Sequence, residues 1–291
     1  MSINKSKLAL GTVQFGLDYG INNPKGQVSY EHIKAILMEA HQNGINLLDT
    51  AAMYGNSEAM LGNALQELQL SFKIVSKLPA EVTTGGVLPE VRQSLEKLQV
   101  AVLYGYLFHD FDTFKQNSAL LEELVQAKKQ GMVNKIGFSV YYPHQVEYLF
   151  DHHISFDLVQ LPYNLLDQRF EYLFPVLKKQ RIEVHNRSAF LQGLFFKDSQ
   201  SLPVHFQSIE SKINTLHELS QQHQIPLAAL LLNFVQLQQN IDQVVIGVDA
   251  IAHLKDNLMS VDFLEKTRNI YSDLKQLKED NEQIILPFHW K

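Results

Sequence analysis

The chain is predicted to be an α/β protein of the (β/α)8 TIM-barrel class, one domain over residues 1–291, on three observations. Eight short β-type runs alternate with helix-type periodicities along its whole length. The first seven follow one another at intervals of roughly 20 to 40 residues, the length of a strand, a helix and their loops. The main competitor, a doubly wound sheet, usually has a glycine-rich turn after its first strand, and no G-x-G-x-x-G occurs. The G-x-x-x-x-G of Gly11–Gly16 runs into Leu17-Asp18, so it is not a P-loop. A chain of 291 residues fits about two average domains or one large barrel. The absence of a linker, a composition break or a repeat favours the barrel.

Leu8–Leu10 reads as the first strand. Ser29 then caps a helical stretch with Ile33, Ile36, Leu37 and Ala40 spaced i, i+3, i+4, i+7, and Gly44 ends it. Ile45–Leu48, Phe72–Ser76, Val102–Phe108, Lys135–Phe138, Phe156–Leu161, Ile182–His185 and Gln243–Ile246 supply the other strands. The clearest intervening helix is Ser118–Gln130, with Ser118 as cap, Leu121, Leu124 and Val125 inward, and Gly131 as stop. The long connection after the seventh strand holds an irregular piece, Phe195–Val204, and two helix patterns, and is expected over the C-terminal face of the barrel. Leu227, Leu230, Leu231 and Phe234 mark the second of those patterns within a glutamine-rich segment. Past the eighth strand and its helix, Val261–Lys278 reads as an extra helix and Ile284–Lys291 as an aromatic-ended tail.

Composition removes several classes of function. With 25 Lys+Arg against 31 Asp+Glu, the net charge of −6 argues against a nucleic-acid partner. The chain has no cysteine, which excludes disulfides, thiolate nucleophiles and Cys-ligated metals and favours a cytoplasmic setting. Neither a signal-type h-region in Met1–Leu10 nor an apolar stretch of membrane-spanning length is present; the longest candidate, Leu227–Leu232, is far too short. Hydrophobic residues make up 45% of the chain, enough for a substantial core.

In a barrel the residues just after each strand face the active site. Here those positions are Gly11-Thr12, Asp49-Thr50, Lys77, His109-Asp110, Ser139, Gln160, Arg187-Ser188 and Gly247, with Tyr54 close behind Asp49. Taken singly, each has an ordinary structural explanation; an acid, an ammonium, an imidazole and a phenol at consecutive strand ends do not. The run Leu48-Asp49-Thr50-Ala51-Ala52-Met53-Tyr54-Gly55-Asn56-Ser57-Glu58, continuing to Leu61-Gly62, resembles the first signature of the aldo-keto reductases. Ser76-Lys77, Leu107-Phe108-His109, Gly137-Phe138-Ser139, Gln160 to Asn164, Ser188 to Leu194 and Ile246 to Asn257 are similar to that family's later blocks, in order.

The resemblance implies a barrel, a nicotinamide cofactor and the catalytic tetrad Asp49, Tyr54, Lys77 and His109. The chemistry agrees. Reducing a carbonyl requires a proton for the developing alkoxide, which a phenol can donate. A neighbouring ammonium such as Lys77 is expected to lower the phenol's pKa, with Asp49 holding the ammonium and His109 orienting the carbonyl oxygen. No side chain can donate a hydride, so the cofactor must.

The resemblance places the cofactor against Gly11, Thr12, Ser139, Gln160, Arg187, Ser188, Phe190, Gly193, Gly247, His253 and Asn257. Val140 stands where relatives carry an asparagine, and Arg187 where they commonly stack an aromatic on the nicotinamide. A guanidinium can stack too, but it disfavours the cationic oxidised ring; Arg187 is expected instead, or also, to clamp an anionic substrate group. The resemblance implies NADP as the expected form by the family's habit; NAD is possible, because Gly247, Val248 and His253 stand at the phosphate-holding places, Asp249 adds negative charge and Lys255 is the nearest fixed cation.

The reading is therefore NAD(P)H-dependent reduction of a small-molecule aldehyde or ketone, with a nicotinamide-binding regulatory or sensor protein as the alternative. A barrel hydrolase or lyase would want paired carboxylates, for which only Asp49 and Asp110 are available. No metal site is expected: His217 and His223 lack the H-E-x-x-H spacing, and these histidines read as solvated. The acidic run Lys278–Glu282 reads as a solvated helix end. Phe15, Tyr19, Met53, Phe111, Tyr141, Phe195, Phe196 and Trp290 are candidates to line the substrate entrance.

Overall fold

The computed structural model describes residues 7–19 and 26–290. The start of the N-terminal stretch read for an export signal (residues 1–6) and the last residue of the tail, Lys291, lie outside them. Eight parallel strands close a barrel in sequence order: β1 Leu8–Gly11, β2 Leu47–Asp49, β3 Lys73–Leu78, β4 Leu103–Phe108, β5 Val133–Ser139, β6 Leu158–Pro162, β7 Glu183–Arg187 and β8 Gln243–Gly247. All eight overlap the strands expected from the sequence. Ala9, Leu47, Val75, Leu107 and Leu158 form a small buried cluster of their own. The much larger core includes the inward faces of the helices, such as Ile33, Ile36, Leu37 and Ala40 of helix Tyr30–Gln42, all fully buried. No helix of the described residues is long and apolar enough to cross a membrane.

Register brings the strand ends to a common rim. Gly11 pairs with both Asp49 and Gly247, Lys77 with Leu107, and Ser139 with Gln160. At Gly137 a Cβ would stand 1.7 Å from the carbonyl oxygen of Leu158, so only glycine lets β5 and β6 lie this close.

Several local expectations are corrected. Ser29 and Ser118 occupy N-cap positions, but neither hydroxyl caps the backbone; that of Ser29 meets His32 Nδ1 at 2.8 Å instead. Helix Ala119–Lys129 buries Leu120, Leu124 and Ala127, while Leu121 and Val125 are half-buried, so the inward stripe is rotated by about one residue. The stretch Val261–Lys278 is broken into a 3-10 turn, Met259–Phe263, and the short helices Leu264–Asn269 and Tyr271–Lys275. The acidic run is mostly exposed, as expected, but it links two short helices and is tied down: Glu279 pairs with Lys212 at 2.8 Å and Glu282, which opens helix Glu282–Ile285, with Arg169 at 2.7 Å. His217 is half-buried against the carbonyl of Phe195 at 2.8 Å.

Candidate active site

The first loops are shaped by close backbone approach. A Cβ on Gly16 would stand 1.7 Å from the Tyr54 carbonyl, and Gly55, at φ 56°, leaves its own Cβ position 2.4 Å from the Gly16 carbonyl. Two glycines therefore let the loop carrying Tyr54 press onto the segment after β1. A buried hydroxyl network fastens it: Ser57 Oγ donates to the Thr12 carbonyl at 2.9 Å and lies 3.2 Å from Thr50 Oγ1, while Thr12 Oγ1 donates to the Asp49 carbonyl at 3.1 Å. Glu58 accepts from Ser76 Oγ at 2.6 Å, beside Lys77 in the chain. The signature Asp49–Glu58 thus reads, residue by residue, as the fastening of one phenol.

Lys77 is 1% exposed and its ammonium is fully engaged. It donates to Asp49 Oδ2 at 2.7 Å, to the Thr50 carbonyl at 2.9 Å and to the phenol of Tyr54. Asp49 Oδ1 accepts from Gln160 Nε2 at 2.7 Å, so the carboxylate is held from both sides. Burial opposes the charge on Lys77, but Asp49 and Tyr54 outweigh it and hold its pKa above the ordinary value. The Tyr54 and His109 rings meet edge to face, 5.7 Å apart at 82°.

The expected lowering of the Tyr54 pKa is overturned. Burial drives it up, Lys77 and Arg187 pull it down, Asp49 and Tyr141 push it up again, and the net direction is upward. Sequence showed the ammonium but not the desolvation. His109 goes the opposite way: burial, with Lys77 and Arg187, lowers it to about 4 against the pull of Asp49. At neutral pH the site therefore holds a protonated phenol and a neutral imidazole.

One cavity of about 620 Å³ joins these groups to the other strand ends, in the size range of small-molecule and cofactor sites. Its lining includes Asp49, Tyr54 and His109, with Lys77 behind them, and every residue expected to face a cofactor: Gly11, Thr12, Ser139, Gln160, Arg187, Ser188, Phe190, Gly193, Gly247, His253 and Asn257. Of the aromatics proposed for the entrance, Tyr19, Tyr141 and Phe196 line it. Phe15, Phe111 and Phe195 are core residues instead, Met53 lies on the outer surface beyond the lining, and Trp290 packs edge to face on Phe206. Gln14 and Ala228, which also line the cavity, lie off the strand ends and carry no local pattern in the sequence; Gln192 and Asp256 lie inside the Ser188–Leu194 and Ile246–Asn257 blocks but were not singled out.

The residues present fit a dinucleotide. Backbone in the left-handed region recurs at Ser188 (φ 64°), Leu191 (45°), Gln192 (51°) and Gly193 (92°) along one cavity wall, and such strain concentrates where a ligand is clamped. Gln14 Oε1, beside Gly247, is buried without a hydrogen-bond partner. Gln160 has committed its amide nitrogen to Asp49, leaving its carbonyl oxygen as the acceptor for a ligand amide. At the far end His253 Nδ1 lies 2.5 Å from Asp249 Oδ1, and Lys255 lies 3.6 Å from Glu39.

Comparison with known proteins bears on the family and the fold. The model of the Aldo/keto reductase family matches residues 7–279. The uncharacterized oxidoreductase YqkF of Bacillus subtilis is 22% identical over 280 residues, 88% of this chain and 89% of that one. The NADH-specific methylglyoxal reductase of Escherichia coli is 29% identical over 222 residues, 66% of each chain. Among solved structures, the aldo-keto reductase AKR11C1 from Bacillus halodurans, in its holo form, shares the fold with a TM-score of 0.75 at 20% identity, covering 95% of this chain and 94% of that one.

Proposed function

The chain belongs to the aldo/keto reductase family, and from that premise we propose that it reduces an aldehyde or ketone to the alcohol at the expense of NAD(P)H, with Tyr54 as the proton donor. The observation that carries this reading is a phenol opening on a large cavity while bonded to an ammonium that a buried carboxylate holds in place.

A reduced nicotinamide, when bound, would supply the hydride, two electrons with one hydrogen, that the carbonyl carbon requires. Ser139, Gln160 and the Ser188–Gly193 wall would hold the cofactor. As the carbonyl π bond breaks, its oxygen takes the proton of Tyr54, and the phenolate left behind is stabilised by Lys77. Because burial holds the phenol up, the proton stays on Tyr54 until an alkoxide demands it. Neutral His109 keeps an N–H to orient the carbonyl oxygen, a task that needs no charge.

The adenosine end supports NADH more than NADPH. His253 is engaged by Asp249 and Lys255 by Glu39, and Asp256 adds another carboxylate to the lining. A 2′-phosphate would meet net negative charge there. The test is oxidation of NADH and of NADPH, followed by absorbance against aldehydes and ketones, with Tyr54→Phe as control. Turnover lost in the variant while the cofactor still binds is the expected result. Cofactor binding without turnover on any carbonyl would instead make the chain a nicotinamide sensor.

A further inference from the structure

Arg187 ends β7 and is half-buried in the cavity wall. Its Nη2 donates to the Val140 carbonyl at 2.9 Å, its Nη1 reaches Ser188 Oγ at 3.5 Å, and its guanidinium lies over the Tyr141 ring at 3.9 Å from the centroid. These contacts fix the head group and cover one face, but none of them is a counter-charge. Among the described residues Arg187 forms no ion pair, whereas Arg169, half-buried like it, meets two carboxylates; Arg92 and Arg181, also outside any ion pair, are exposed to solvent. Among the described residues it is also the only Lys or Arg in the cavity lining. Asp49 is neutralised by Lys77, and the other two carboxylates of the lining, Asp249 and Asp256, belong to the adenosine end, so the catalytic end carries one uncompensated positive charge. That charge is close enough to act electrostatically on Tyr19, Tyr54 and His109 together.

Holding a guanidinium half out of water without a carboxylate costs free energy that an arriving anion recovers. The remaining N–H groups of Arg187 have no partner among the described residues, and a carboxylate matches their planar fork. Resting on the carbonyl-reductase reading, the geometry points to Arg187 as a specificity determinant that selects carbonyl substrates bearing a carboxylate, such as 2-oxo and short ω-oxo acids. The carboxylate sits on Arg187 against Tyr141, and the carbonyl is thereby presented to Tyr54 and His109.

The experiment compares kcat/KM for pyruvate and 4-oxobutanoate with their methyl esters, which keep the carbonyl and remove the charge, in the wild type and in Arg187→Gln and Arg187→Lys. The wild type is expected to favour the acids by on the order of 10- to 100-fold, the usual worth of a charged hydrogen bond. Arg187→Gln should lose that preference chiefly through a higher KM for the acids, and Arg187→Lys should recover part of it. Calorimetry with oxamate, NADH being present, reads the anion site without turnover: it should bind the wild type and not Arg187→Gln. Equal handling of acids and esters by the wild type, or a ratio that Arg187→Gln leaves unchanged, overturns the assignment. Should neither acids nor esters turn over, the reductase reading fails. Oxamate binding then decides alone, and binding by both proteins or by neither overturns the anion site.

Discussion

The two ends of this barrel carry clusters that look alike on paper. At the C-terminal rim, Lys77 pairs with Asp49 beside Tyr54 and His109. At the N-terminal end, Lys135 pairs with Glu183, which also accepts from Tyr104 at 2.7 Å and lies 2.6 Å from His185 Nε2. Each end thus has a lysine, a carboxylate, a tyrosine and a histidine, and in each the histidine Nδ1 is buried without a partner. Only the rim opens on the large cavity, whose lining contains no member of the lower cluster. Residue types and perturbed ionisation therefore do not by themselves make a site. The lower tyrosine spends its hydroxyl on Glu183, whereas the upper one faces a space that a carbonyl can enter.

The strongest way to break the comparison is to remove one oxygen at the rim. Tyr54→Phe should lower kcat/KM by about 10²- to 10⁴-fold, the contribution of a positioned acid, and leave the melting temperature near that of the wild type. A variant retaining full activity would place the proton donor elsewhere. Lys77→Met comes next. It leaves the buried Asp49 carboxylate without its counter-charge, and breaking such a pair costs about 3–5 kcal/mol, read as a fall in the urea midpoint. Activity should fall as well, because the phenolate loses its counter-charge.

The converse test is at the lower end. Glu183→Gln leaves Lys135 and His185 short of an acceptor and should cost about 1–3 kcal/mol of stability. Its kcat/KM should stay at the wild-type value. A large loss of activity in a stable, folded Glu183→Gln protein would show that the two ends are coupled and would end the comparison.

How much of this was legible in the sequence follows the range of the forces involved. Strand runs and the Tyr30–Gln42 stripe are local patterns, and they appear where periodicity puts them. The signature around Asp49 and Tyr54 was legible because the loop from Asp49 to Ser57, with its Thr50–Ser57 hydroxyl pair, is one contiguous segment; the tie of Ser57 to Thr12, 45 residues away, was not. The lower cluster was not: Tyr104, Lys135, Glu183 and His185 come from β4, β5 and β7, and nothing in their spacing announces that they meet. The upward pKa of Tyr54 was hidden for a related reason, since desolvation depends on what the rest of the fold packs around a group. The helix from Ala119 shows a smaller failure of the same kind, because Leu121 and Val125 suited the inward stripe as well as Leu120 and Ala127 until the neighbouring strands settled the rotation.

Acid titration separates the two ends with the smallest effects and the finest resolution. His109 is depressed from 6.5 to about 4, so between those values the unfolded chain binds the proton that the folded one refuses. Stability therefore falls as pH drops from about 6.5 toward 4, and no further from this group below that. Glu183 is depressed from 4.5 to about 2 because its bonds to His185, Lys135 and Tyr104 outweigh burial. Its contribution is complete above pH 4.5 and is lost as pH falls toward 2. The rim should thus soften first and the lower end later. In denaturant midpoints measured from pH 7 to pH 3, His109→Gln should flatten the upper part of the curve alone, and Glu183→Gln the lower part alone. Identical curves for the two variants would mean that neither group titrates independently, and that the barrel responds to acid as one electrostatic unit.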